Sequence, residues 1–92
     1  MSHRLNIDTL LPEQRTQVRE SIQTVTRRLN HRCPVNGREL LTHTSVAIID
    51  RATCTCITIW SATAWDQFGL QAVEAEGDAV WYYDPRQGAP DA

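Results

Sequence analysis

From the first helical turn onward, Leu11, Val18, Ile22, Val25 and Leu29 recur at spacings of seven, four, three and four. That is the narrow apolar stripe of one amphipathic helix. Leu11-Pro12-Glu13-Gln14 starts it, with Asp8 or Thr9 as cap. It ends near Asn30–Arg32, before Cys33-Pro34 and the Asn36-Gly37 turn. Cys33–Thr44 reads as a connector in which Arg38–Leu41 forms a helical turn or a short strand. The pattern then changes: Ser45–Asp50 and Thr53–Trp60 are dense in β-branched and apolar residues and read as a hairpin turning at Arg51-Ala52. Helical spacing returns with Trp65, Phe68, Gly69, Ala72 and Val73, capped by Ser61 or Thr63 and stopped at Gly77. A second hairpin, Leu70–Glu76 with Ala79–Asp84, is the competing reading of that stretch. Ala79–Tyr83 is a strand closed by Asp84-Pro85. The whole predicts a single α+β domain over 1–92, two helices packed on a small, mainly antiparallel three-stranded sheet in the order α-β-β-α-β, with 1–9 a loosely ordered lead-in and 85–92 a mobile tail.

The hairpin carries apolar residues on both parities, so both faces of the sheet need cover. With regular strands, one face holds Val46, Ile48, Ile57, Ile59, Val80 and Tyr82. The other holds Ala47, Ile49, Cys54, Cys56, Trp60, Trp81 and Tyr83, and a bulge would invert part of this. Either both helices lie on the first face and leave an aromatic patch exposed on the second, or one helix covers each face. Self-association into a homodimer also satisfies the pattern.

Ninety-two residues support only a modest core. Hydrophobic residues at 41% and charged residues at 22% are ordinary globular usage, which argues against a disordered chain. With a polar start and no apolar run of membrane-spanning length, the chain is expected to be cytoplasmic and away from membranes. The net charge of −2 conceals an asymmetry. Residues 1–44 carry seven arginines against four acids, residues 45–92 two against seven, so the halves stand at +3 and −5.

Three cysteines, Cys33, Cys54 and Cys56, suit buried free thiols better than a disulfide framework. Cys54 and Cys56, with His31, Cys33 and His43, have poor spacing for a zinc site, and no cofactor or metal is expected. A Cys–His nucleophile would need His43 beside a thiol. No nucleophile elbow, phosphate loop or zinc-protease motif is present, so the chain reads as non-catalytic. Glu74, Glu76, Asp78 and Asp84 form an acidic edge. Arg27, Arg28 and Arg32 crowd the end of the first helix, where they complement its carbonyl terminus or bind nucleic acid.

In size, acidity and lack of catalytic motifs the chain is similar to small phage-encoded inhibitors such as anti-CRISPR proteins and to bacterial immunity proteins, a likeness of general character that covers no motif. The expectation is a protein-binding inhibitor or regulator acting by steric and electrostatic blocking. Trp60, Trp65, Trp81 and Tyr83 would be its anchors, and the acidic edge would face a basic partner, for instance a nucleic-acid-binding complex. The alternative is a nucleic-acid-binding regulator using Arg27, Arg28 and Arg32, as a dimer through helix one.

Overall fold

The computed structural model describes residues 3–87. The fold is α+β, and its elements follow the order α, β, β, α, β that the hydrophobic pattern predicts. Helix α1 spans Pro12–Arg28. Its N-cap is Leu11, not Asp8 or Thr9: the Gln14 Oε1 accepts a hydrogen bond from the Leu11 N–H at 2.9 Å. Asn6 caps the preceding 3₁₀ turn, Ile7–Thr9, by accepting from the Asp8 N–H at 3.1 Å. The helix stops where Asn30 and His31 both take positive φ, 55° and 60°. This left-handed exit turns the His31 N–H back onto the Thr26 carbonyl at 2.9 Å. Val18 is fully buried, with Ile22, Val25 and Leu29 packed beside it, whereas Leu11 lies off the stripe and is exposed.

Strands β1 (Val46–Asp50), β2 (Thr55–Trp60) and β3 (Val80–Tyr83) form an antiparallel sheet in the order β2-β1-β3. Central β1 is buried from Val46 to Ile49, which explains why its apolar residues ignore parity. The hairpin turn takes four residues, Arg51–Cys54, not two. The Asp50 carboxylate accepts from the Ala52 N–H at 2.9 Å, and Cys54, at φ 57°, closes onto the Asp50 carbonyl at 2.8 Å.

A bulge resets β2. Ile48 pairs with Thr58 but Ile49 pairs with Cys56, so Ile57 has no partner on β1 and is 53% exposed. Regular alternation would put Ile57 and Ile59 on one face. The bulge instead places Cys56 and Ile59 beside Ala47 and Ile49, and turns Thr58 and Trp60 toward Val46 and Ile48. One helical layer covers each face: α1 packs over Ala47, Ile49 and Ile59, and the second helix over Val46, Ile48 and Val80. Most of the apolar surplus on the sheet is thus core, and among the described residues its aromatic side chains are at least partly covered.

That second helix begins with α2 (Ala62–Ala64), passes through a π turn (Trp65–Gly69) and continues as α3 (Leu70–Ala75). The helical reading of this stretch therefore stands over the hairpin. The lead-in is not loose where it is described. The Leu5 N–H donates to the Tyr82 carbonyl at 2.7 Å and the Tyr82 N–H to the His3 carbonyl at 2.9 Å, so this segment runs parallel beside β3 with Leu5 and Ile7 buried. The mobile tail predicted for 85–92 falls largely on 88–92, which lie outside the described residues. Arg86 within it is fastened to Asp84 and Asp66. Among the described residues no helix is long and apolar enough to cross a membrane.

Candidate functional site

The second helix departs from its predicted pattern at the π turn. The Ser61 hydroxyl caps its start, accepting from the Ala64 N–H at 3.3 Å while Asn36 Nδ2 donates to the same oxygen at 2.9 Å. Trp65 then enters the core, its ring 4.6 Å from that of Tyr82 and lying directly on Gly69. A β-carbon at 69 would occupy the Trp65 ring, so the close approach requires glycine. In a regular α-helix Trp65, Phe68, Gly69 and Val73 would all face the sheet. The wider π turn absorbs one extra residue, so Trp65 and Val73 stay buried while Phe68 is turned out, 49% exposed. Leu70, outside the predicted stripe, is 56% exposed. Glu74, Glu76 and Asp78 follow on the exposed end of the same helix and the 3₁₀ turn Gly77–Ala79.

The four predicted aromatic anchors do not come together. Trp65 is 5% exposed in the core beneath the second helix, and Trp60 packs at the margin of both cores. Trp81 and Tyr83 are half-buried on the α1 face, with the Arg51 guanidinium 4.9 Å from the Trp81 ring centre. Asp84 leaves the acidic edge. It is buried, and Arg86 clamps both its oxygens, from Nε at 3.1 Å and Nη2 at 2.9 Å, while also reaching Asp66 at 3.1 Å. Those carboxylates, Asp84 first, raise the Arg86 guanidinium further above its already high value. Arg27, Arg28 and Arg32 are exposed at the end of α1, and none has a carboxylate within 4.0 Å among the described residues.

All three thiols are free and buried. Burial pushes the Cys56 thiol up to about 12, only partly offset by a backbone hydrogen bond from Thr58. Cys33 goes the other way. Burial alone would raise it, but the backbone N–H groups of Ser61, Asn36 and Val35 and the Ser61 hydroxyl outweigh that and leave it lowered. His43 is exposed in the connector. Among the described residues no three His, Cys, Asp or Glu side chains converge on a point that could hold a metal ion.

On the far side of the sheet, α1 and the connector leave a groove of about 370 Å³. Its floor is the cross-sheet rung Ile59–Ala47–Tyr83, and Arg27 and His31 stand at its edge. Neither this groove nor the exposure of Phe68, which periodicity placed in the buried stripe, was visible from the pattern. Gly69 within a helical pattern was the one sequence signal, because a helix keeps an interior glycine for close packing or a break in regularity. Compared with protein-family models, with curated proteins and with solved structures, the chain matches none.

Proposed function

We propose that this protein is a non-catalytic binding module that inhibits or regulates a protein partner by covering part of its surface. The docking surface is the exposed side of the second helix: Phe68 and Leu70, on opposite flanks of buried Gly69, insert into apolar notches of a partner that straddles the helix, and Glu74, Glu76 and Asp78 meet basic side chains around them. The observation that carries this reading is the π turn, which puts Phe68 in solvent when regular helical spacing would bury it. Large exposed apolar side chains ringed by polar ones mark interaction surfaces on small proteins, and aromatic residues are enriched at interface centres. The −5 charge of residues 45–92 supports a basic partner, since complementary fields speed and select encounters.

The test is capture from a bacterial lysate with the tagged protein, half of it nuclease-treated, beside the double variant Phe68→Ser/Leu70→Ser. The expected outcome is a near-stoichiometric partner retained after nuclease and lost from the variant. A partner held equally by the variant would refute the docking face. One specific observation favours a second reading, nucleic-acid binding: Arg27, Arg28 and Arg32 are exposed and unpaired by carboxylates among the described residues. Recovery that disappears with nuclease and with alanine at those three positions would establish it instead.

A further inference from the structure

The groove beneath the C-terminal half of α1 lies across the sheet from the proposed docking face, and the docking reading does not use it. Small Ala47 sits at the middle of the floor between Ile59 and Tyr83, so the helix passes over a depression rather than a filled layer. Ile22 and Leu40 extend its apolar walls. Its volume, about 370 Å³, is at the small end of ligand pockets, which run from roughly 300 to 1,000 Å³. Gln23, Thr26, Thr42 and Ser45 add neutral polar groups to the lining, its basic side chains are Arg27, in the last turn of α1, and His31, just beyond it, and no aspartate or glutamate lines the groove. The Arg27 guanidinium has no carboxylate within 4.0 Å among the described residues. Ser45 also lines the groove, and its hydroxyl is buried with no hydrogen-bond partner among the described residues. A buried hydroxyl without a partner is costly, and a ligand oxygen removes that cost.

We infer that this groove binds a small organic carboxylate with an apolar body, the body lying on the Ile59–Ala47–Tyr83 rung and the carboxylate at Arg27 and His31. Charge sets the choice of occupant. An apolar cleft with a cationic end and no acid selects a molecule that is apolar along its length and anionic at one tip, because guanidinium and carboxylate form charge-assisted bonds. A neutral apolar ligand leaves the cation unused, and an amine is repelled by it.

Octanoate is the probe and octan-1-ol its neutral match, followed by two-dimensional NMR on the labelled protein. Saturable shifts confined to Ala47, Ile59, Leu40 and Ser45 are expected, with octanoate bound about tenfold or more tighter than the alcohol. Arg27→Ala should bring octanoate down to the alcohol's affinity. Leu41→Glu, on an exposed lining residue, should weaken octanoate more than the alcohol. Both substitutions are at exposed positions, so the folded spectrum checks each variant. Equal affinity for the two probes, shifts elsewhere, or no saturation at millimolar octanoate would each overturn the inference. So would groove shifts that follow protein concentration alone, which would make a second copy the occupant.

Discussion

Ile57 and Ile59 stand two apart on one strand yet meet opposite environments, and replacing each by alanine separates the bulged strand from a regular one. Ile59, 2% exposed, should cost about 2–5 kcal/mol in urea unfolding, and half-exposed Ile57 less than about 1 kcal/mol. Similar losses at both would show that the register shift is absent. Isoleucine–threonine–isoleucine alternation gives no hint of a bulge. What accompanies it lies across the chain, where the Ser21 hydroxyl on α1 accepts the Cys56 N–H at 2.8 Å beside the register shift. Cys56 gives a second residue-scale prediction. Its folded thiol holds a proton to about 12, whereas an unfolded one loses it near 9.0, so between those values the unfolded state carries fewer protons and stability falls as pH rises. Lowered Cys33 has the opposite sign, its contribution already complete above the ordinary value. Unfolding free energies from urea titrations should therefore decline above pH 9, by up to about 1.4 kcal/mol per pH unit, and Cys56→Ala should flatten that decline. An unchanged slope in Cys56→Ala would contradict the burial of this thiol.

The second helix shows what periodicity can and cannot convey about an element. Its helical spacing, a cap at Ser61 or Thr63, of which Ser61 is the one used, and its Gly77 stop were legible, because each rests on local backbone chemistry. Its internal register was not, because the π turn answers to the Trp65 ring on Gly69 and Tyr82, a packing decided by β3. Gly69→Ala sets two effects against each other. Alanine gains about 1 kcal/mol of helix propensity, but its methyl collides with a buried indole that has no room to yield, at a cost of about 1–3 kcal/mol. Net destabilisation on thermal unfolding is expected, with the near-ultraviolet signal of Trp65 altered. A stabilised Gly69→Ala protein would mean that the helix is regular there. Helix α1 illustrates the converse: its stripe was readable, but the docked segment around Leu5 and Ile7 was not, since two apolar residues in a polar lead-in carry no period.

At the scale of the whole molecule, the order of elements followed from hydrophobic pattern, while the layering did not. Both-sided apolar strands fit a covered sheet or an exposed one equally, and the sandwich of α1, sheet and second helix settles it by burying Trp65 and half-burying Trp81 and Tyr83. The anchors expected on the sheet are therefore replaced, in the proposed account, by Phe68 and Leu70 on the helix. Charge supports a division of labour, with the acids Glu74, Glu76 and Asp78 at the end of the second helix and just past it, and arginines without carboxylate partners among the described residues at the end of α1. Replacing those three acids together by alanine should weaken partner binding and flatten its salt dependence, read by titration at two ionic strengths. The most direct test of the docking face is amide hydrogen exchange on the free and partner-bound protein. The account predicts new protection concentrated between Asp66 and Asp78, with the α1 end unchanged. Protection gathered at 27–38 instead, with the second helix unaltered, would contradict it.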